Sequence, residues 1–196
     1  IDGKKIWESL IIGVDPGITI GVALITDGCV RSTLETREIR EAVNYIISSL
    51  NNTPSKMSII RVGSTGGYRR ILLLNELLNI KPQEVTLEVV DELQTTPSSY
   101  QQAKNGLCEN TRKGIELEGG KNATAAMQIA FRLGEEVTNP AELEISEGEL
   151  KEIQILSRQY SHGTVTISRD LAKKVASGLI SIYEAIQTQK SLNKRE

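Results

Sequence analysis

The chain has 196 residues, with 23 Lys and Arg against 25 Asp and Glu, so its formal net charge is −2. This length suits one domain with an appendage. The near-even charge balance excludes a dominant polybasic arm or acidic tail. Aromatic residues make up only 4% of the chain, which argues against a single-strand RNA reader built from several stacking rings.

Membrane insertion and zinc binding are also excluded by the composition. No apolar stretch approaches the roughly 20 residues that span a bilayer, so we expect a soluble protein with no membrane partner. Cys29 and Cys108 are accompanied by one histidine, His162, which is too few ligands for an ordinary zinc site. We expect reduced thiols and a cytoplasmic location. No signal peptide is recognisable, and because the first residue is Ile1, either the chain is trimmed or residues precede it.

The first third of the chain predicts an antiparallel meander. An apolar run at residues 10–14 stops at Asp-Pro-Gly (residues 15–17), which indicates a buried strand followed by a turn. Residues 18–26 are rich in β-branched types and lead to Asp27-Gly28, a strong two-residue hairpin signal. Residues 29–36 then continue as a third strand.

Helices and strands alternate after the meander. Apolar spacing and stop signals predict a helix at 38–50, a strand at 57–62, a helix at 71–78 and a strand at 85–90. Residues 93–121 are polar and glycine-rich, which predicts a mobile connection. Residues 123–137 predict a last core helix, whose small side chains suit close packing on a sheet.

The remaining sequence predicts helices of a different kind. Ser146 and Glu149 form a capping box that starts one helix, residues 164–167 are strand-like, and Ser168 caps a second helix that runs through Leu179. These helices could cover the core, form a homodimer contact or act as a helix-turn-helix reader. A reader needs a short turn where the strand-like run lies, so we favour packing or dimerisation.

The order βββαβαβ followed by a helix fits the ribonuclease H-like arrangement, and the pattern alone leaves this as one α/β option among several. This α/β architecture has a mixed sheet, in which an antiparallel hairpin meander sits beside parallel strands, and helices flank the sheet. We place this core at residues 1–137 and an α-helical C-terminal extension at residues 138–196.

Three short motifs in this core resemble one family. Residues 15–23 (Asp-Pro-Gly-Ile-Thr-Ile-Gly-Val-Ala) resemble the first-strand motif of RuvC-type Holliday-junction resolvases and their YqgF relatives. Residues 90–96 (Val-Asp-Glu-Leu-Gln-Thr-Thr) are similar to the YqgF strand end Asp-Glu-Arg-Leu-Thr-Thr, with Leu93 where the family has Arg. Residues 122–126 lie where the family begins its last core helix with Asp-Ala-Ala-Ala, and Asn122 replaces the acid.

The resemblance implies metal-dependent cleavage of phosphodiesters in structured DNA or RNA, with Mg²⁺ or Mn²⁺ held by converging carboxylates. It assigns catalytic positions to Asp15, Glu92, Asp91 and Asn122, with Asp15 and Glu92 as the metal ligands. Because Asn122 offers a carbonyl oxygen without charge, the site is weakened. Catalysis could therefore have lapsed, which would leave a module that binds nucleic acid or a protein.

A second group of residues could contact phosphates near these strand ends: Thr19, Ser64, Arg69, Arg70 and Lys121. The glycine loop at residues 63–67 could offer backbone amides to a phosphate or be a simple turn, and we favour the turn. His162 is expected to be an exposed loop residue.

Residues 15–21 are also similar to the first phosphate motif of actin-like and sugar-kinase ATPases. Those enzymes enclose a nucleotide between two such domains. The chain carries one copy of the motif, so this alternative is the weaker one.

Overall fold

The computed structural model describes residues 6–91, 120–139 and 145–194. The chain divides into two compact units, Ile1–Thr138 and Asn139–Glu196. The strands of the first unit are β1 Trp7–Asp15, β2 Ile20–Thr26, β3 Cys29–Thr36, β4 Ser55–Gly63, β5 Thr86–Val90 and β6 Glu135–Glu136. Its described helices are α1 Ile39–Asn52, α2 Gly67–Ile80 and α3 Lys121–Ala130.

The sheet is mixed, with the strand order β3-β2-β1-β4-β5-β6. Strands β1 to β3 form the predicted antiparallel meander, and β4 and β5 run parallel to β1. The hairpin between β2 and β3 turns at Asp27 and Gly28, whose φ angles are 48° and 76°, as a type I′ turn requires. The predicted ribonuclease H-like α/β arrangement is therefore confirmed.

Both faces of the sheet are covered. Leu10, Ile12 and Val14 alternate along β1 and are fully buried, so they form the core on one face, where α1 and α2 pack against the sheet and each other. The intervening residues of β1 face α3. Ile25, Val30 and Ala130 form a buried cluster there, with Ile11 packed against it.

Helix α3 lies unusually close to the sheet. A Cβ atom at Gly13 of β1 would lie 2.0 Å from the carbonyl oxygen of Ala126, and one at Gly21 of β2 would lie 2.1 Å from that of Asn122. Only glycine permits this approach. The expectation that small residues allow close packing is confirmed, and the sheet contributes glycines of its own.

The last core helix is shorter than predicted. The sequence predicts a helix through residue 137, but α3 ends at Ala130 and residues 135–136 pair antiparallel with β5. Gly134 allows the chain to run back this close to β5. Any other residue would place its Cβ 2.7 Å from the carbonyl oxygen of Val89, which is a clash. The predicted mobile connection falls mainly outside the described residues.

The second unit contains three described helices: α4 Glu147–Tyr160, α5 Arg169–Ala176 and α6 Ile182–Asn193. The predicted capping box of Ser146 and Glu149 is confirmed, and Ser168 caps α5 as predicted. Every described helix of the chain has 14 residues or fewer, and none is long and apolar enough to cross a membrane.

The strand-like run at residues 164–167 is not a strand. The Ser161 hydroxyl accepts a hydrogen bond from the Val165 amide at 2.9 Å, and the Ser157 hydroxyl accepts one from the Ile167 amide at 3.1 Å. Gln154 donates to the Ile167 carbonyl at 2.9 Å. These three side chains, from α4 and its C-cap, therefore satisfy the backbone groups that a partner strand would otherwise pair. Val165 and Ile167 are buried.

The prediction of one helix through Leu179 is wrong. The Gly178 amide donates to the Val175 carbonyl at 3.0 Å, and the Leu179 amide donates to the Lys174 carbonyl at 3.0 Å. With Gly178 at φ 70°, these bonds form a Schellman motif that ends α5. Ser181 then starts α6 with a second capping box.

The expectation of reduced thiols is also wrong, because Cys29 is disulfide-bonded. Cys108 lies outside the described residues. Since disulfides are rare in reducing compartments, the thiol argument for a cytoplasmic location loses its basis.

The glycine contacts predict a large effect of one added methyl group. Gly13→Ala should lower the free energy of unfolding by about 3 kcal/mol, because α3 must move away from the sheet. Urea unfolding of the full chain measures this effect. Gly17→Ala is the matched control, since its nearest contact would be an ordinary 3.4 Å; equal unfolding midpoints for the two variants would contradict the close packing.

Candidate functional site

The ends of three parallel strands bring polar residues to one edge of the sheet. Asp15 is the last residue of β1, Ser64 follows β4, and Asp91 follows β5. The Ser64 amide donates to the Val90 carbonyl at 2.8 Å, which extends the β4–β5 pairing to this edge. Asp15 and Asp91 are two strands apart, or about 10 Å between their backbones.

Asn122 lies near Asp15, on the same face of the sheet. Asp15 pairs with Gly21 in the β1–β2 ladder, and the first turn of α3 lies on Gly21 at Asn122. Opposite residues of an antiparallel pair face the same side of a sheet, so Asp15 is on the face that α3 covers. The structure therefore brings together Asp15 and Asn122, the first and last of the predicted site positions.

Glu35 joins this group although the sequence analysis missed it. Glu35 of β3 pairs with Gly21, and its Oε1 accepts a hydrogen bond from the Ala123 amide at 2.8 Å. A carboxylate at a helix N-terminus is favourable because it satisfies an unpaired amide and complements the helix dipole. No local signal reveals this contact, because the capping group comes from a residue 88 positions away.

A buried ion pair occupies the same face further along the strands. The Arg61 Nε lies 2.8 Å from the Glu88 Oε2, and the two side chains are 8% and 14% exposed. Arg61 also donates to the Ala130 carbonyl at 2.7 Å, and Glu88 accepts from the Gly134 amide at 3.3 Å. The ion pair therefore anchors the C-terminal end of α3 to the sheet. Arg61 also neutralises the charge of Glu88.

The described acids do not assemble a complete metal centre. Within residues 6–91, 120–139 and 145–194, no group of three or more His, Cys, Asp or Glu side chains could hold a metal ion. Glu92, the second predicted ligand, lies outside those ranges. Asp15, Asp91 and Asn122 nevertheless present oxygen atoms, which hard divalent cations prefer.

The two predicted phosphate-binding arginines have structural contacts. Arg69 of α2 donates to the Gly17 carbonyl at 3.2 Å and to the Arg37 carbonyl, so it ties the loop after Asp15 to the end of β3. Arg70 is 8% exposed, which leaves little of its guanidinium accessible to a phosphate.

The other predicted phosphate-binding residues surround the site. Thr19 is half-buried before β2, Ser64 is half-buried after β4, and Lys121 is exposed in the first turn of α3. The glycine loop between β4 and α2 packs closely on the loop after Asp15, because a Cβ at Gly66 would lie 2.6 Å from the Pro16 carbonyl oxygen. As expected, His162 is an exposed turn residue, in the second unit.

Comparisons with known proteins yield two similarities. Residues 146–191, which include α4, α5 and most of α6, match a family described as a three helical bundle domain. A structure of T. thermophilus RuvC in complex with a Holliday junction substrate is similar at 16% sequence identity, with a TM-score of 0.38. The similarity covers 62% of this chain and 90% of that one. Among curated proteins, none matches this chain.

The first unit has a ribonuclease H-like arrangement, in which helices flank a mixed six-stranded sheet. The described part of the second unit contains three helices, in keeping with its similarity to a three helical bundle family.

Removing one member of the Arg61–Glu88 pair should be costly. Arg61→Met leaves an uncompensated buried carboxylate, so we expect the free energy of unfolding to fall by about 3–5 kcal/mol. Chemical denaturation of Arg61→Met, Glu88→Leu and the double variant measures the coupling. The double variant should be destabilised by less than the sum of the two single effects; strict additivity would show that the pair is not coupled.

Glu35 should stabilise α3 through its charge as well as its hydrogen bond. Glu35→Ala should cost about 1 kcal/mol, as removal of a helix cap does, and Glu35→Gln should retain part of this contribution. Thermal unfolding with Glu38→Ala as the control measures both. A Glu35→Ala variant as stable as the original chain would show that the cap contributes nothing.

Proposed function

We propose that this chain is a RuvC- and YqgF-type member of the ribonuclease H-like proteins and a metal-dependent nuclease that acts on structured nucleic acid. The observation that carries the proposal is the placement of Asn122 beside Asp15, through the contact of α3 with Gly21. The resemblance of residues 15–23 and 122–126 to the family motifs supports the same pairing. Without Gly21, these two positions would lie further apart.

The donor types fit a hard divalent cation. Asp15 would supply one carboxylate and Asn122 an amide oxygen, and Glu92 or Asp91 would supply the second carboxylate. A bound Mg²⁺ or Mn²⁺ would lower the pKa of its water and offset the charge of the leaving oxygen. With a neutral amide at Asn122, the site offers less negative charge than a full carboxylate set, so we expect weak metal affinity.

The chain's own residues would position the nucleic acid. Lys121 is exposed beside Asn122 and would attract a phosphate to the first turn of α3 through its own charge, because Glu35 already complements the helix dipole there. Thr19 and Ser64 would donate hydrogen bonds to phosphate oxygens from the two neighbouring loops. Arg69 would act indirectly, because it holds the Gly17 carbonyl of the loop after Asp15.

A lapsed nuclease is the second candidate, and one observation favours it. Glu88 is the acid of β5 on the face that α3 covers, and Arg61 neutralises it. Because Glu88 is neutralised and Asn122 carries no charge, fewer carboxylates are available to bind a metal. Such a chain would bind nucleic acid without cleaving it.

Restoring the missing acid separates the two candidates. Asn122→Asp should increase Mn²⁺-dependent cleavage by tenfold or more, because it adds a carboxylate beside Asp15. Asp15→Asn should abolish cleavage. The assay uses labelled Holliday junctions, forks, duplexes and RNA–DNA hybrids of equal length, with Mg²⁺ or Mn²⁺.

Two exposed positions provide matched controls for these charge changes. Asn52→Asp makes the same change at the end of α1, and Asp170→Asn removes an acid from α5. Both should cleave like the original chain. Binding without cleavage in the original chain and in Asn122→Asp would refute the nuclease proposal and support the lapsed module.

A further inference from the structure

Helix α6 of the second unit presents a row of side chains away from its own core. Tyr183, Gln187, Lys190 and Lys194, which we call the α6 face, are spaced by four, three and four residues, so they lie on one side of the helix. Tyr183, Gln187 and Lys194 are exposed and Lys190 is half-buried. Ala185 and Ile186 are buried on the packed side of the helix.

The α6 face has the chemistry of a nucleic-acid contact. Lysine, glutamine and tyrosine are among the side chains that make most hydrogen bonds to phosphates and sugars in protein–DNA complexes. Neither the Lys190 nor the Lys194 ammonium forms an ion pair with a described residue. Among the described residues, therefore, no acid neutralises either charge.

Glu184, which follows Tyr183 in α6, is engaged at the start of the helix. Glu184 Oε2 accepts a hydrogen bond from the Ser181 amide at 2.7 Å, and the Ser181 backbone and hydroxyl lower the pKa of Glu184. Its charge is thus held at the helix cap. In the same unit, Glu147 pairs with Arg169 and Glu149 is buried in its own capping box.

An exposed aromatic pair stands at the start of the α6 face. The rings of Tyr160 and Tyr183 are stacked, with centroids 5.5 Å apart and planes 15° apart, and Tyr183 is 63% exposed. The exposed Tyr183 ring offers a flat surface to a sugar, and its hydroxyl can donate a hydrogen bond to a phosphate. The combination of this surface with two cations favours a nucleic acid over an apolar protein partner.

The connection between α5 and α6 also suits this role. The helices are joined by residues 177–181, a short turn of the kind that links the two helices of a helix-turn-helix. The strand-like run at residues 164–167 precedes α5 and does not interrupt this turn. From Tyr183 to Lys194 the α6 face is about 17 Å long, enough to contact several phosphates, which follow one another about every 3.4 Å along a strand.

We propose that the α6 face binds the sugar–phosphate backbone of a nucleic-acid duplex. This inference extends the proposed function by giving the second unit the task of holding the nucleic acid on which the first unit acts.

Salt-dependent binding of the full chain tests the inference. The probes are a fluorescein-labelled Holliday junction and a duplex of equal length, titrated by anisotropy between 50 and 200 mM salt without divalent metal. Lys190→Gln/Lys194→Gln should lower the slope of log affinity against log salt by nearly two, about 0.9 for each phosphate that a lysine no longer neutralises. Tyr183→Ala should weaken binding about tenfold, because it removes a hydroxyl that donates a hydrogen bond to a phosphate.

The second unit provides a control with the same change in charge. Lys173→Gln/Lys174→Gln removes two exposed lysines from α5 and should change the slope by less than half as much. Equal changes for the two pairs would overturn the assignment to α6. Gln187→Glu is a further variant that leaves the packed side of α6 intact, and it should weaken binding by repelling phosphates; unchanged affinity would also overturn the proposal.

Cleavage and binding readouts keep the two proposals separable. If α6 variants bind like the original chain while cleavage depends on Asp15, the inference fails and the nuclease stands. If α6 variants no longer bind while no variant cleaves, the inference stands and the nuclease fails. If Tyr183→Ala converts a dimer to a monomer in sedimentation and leaves affinity unchanged, the α6 face is a homodimer contact and the inference is overturned.

Discussion

The candidate site depends on the contact of α3 with two glycines of the sheet. Gly13 and Gly21 bring the helix backbone closer than any side chain would allow. This contact closes one face of the sheet over Ile25, Val30 and Ala130. It also determines where the helix begins, which places Asn122 opposite the end of β1. Packing and the candidate chemistry therefore share one constraint.

Charged side chains hold α3 at both ends. Glu35 accepts a hydrogen bond from its first turn, and Arg61 donates one to the Ala130 carbonyl at its last residue. An acid at the N-terminus and a base at the C-terminus both complement the helix dipole. Glu35 and Glu88 thus serve the architecture, so the chemistry would depend on Asp15, Asn122 and the acids after β5. This division explains why the described acids form no cluster of three.

Much of the fold could be predicted from local signals. Asp27-Gly28 specifies the hairpin through its turn geometry, and the apolar periodicity specifies α1. The predictions fail where the deciding contact joins residues far apart in the chain, or where a glycine ends a helix that the apolar spacing would continue. Residues 164–167 are strand-like in sequence, but the hydroxyl groups of Ser157 and Ser161 satisfy their amides. Gly178 was a readable signal for the end of α5, and Ser181 with Glu184 was a readable signal for a new helix.

The site was predictable to a smaller extent. Asp15 stands out because a turn follows an apolar run, and Asn122 was placed through resemblance alone. The Glu35 contact joins residues that are far apart in the chain, so no periodicity reveals it. Likewise, Arg69 and Arg70 read as available cations in sequence, whereas one serves two backbone carbonyls and the other is buried. Burial and tertiary hydrogen bonds determine which charged residues a ligand can reach.

The most direct test of the central claim is a crystal structure of the full chain soaked with Mn²⁺ and measured at the manganese absorption edge. The account predicts an anomalous peak in direct contact with the Asp15 carboxylate and beside Asn122 at the start of α3. The peak should disappear in Asp15→Asn. A structure in which Asp15 contacts only protein groups at high Mn²⁺ concentration, or in which Asn122 lies away from Asp15, would contradict the account.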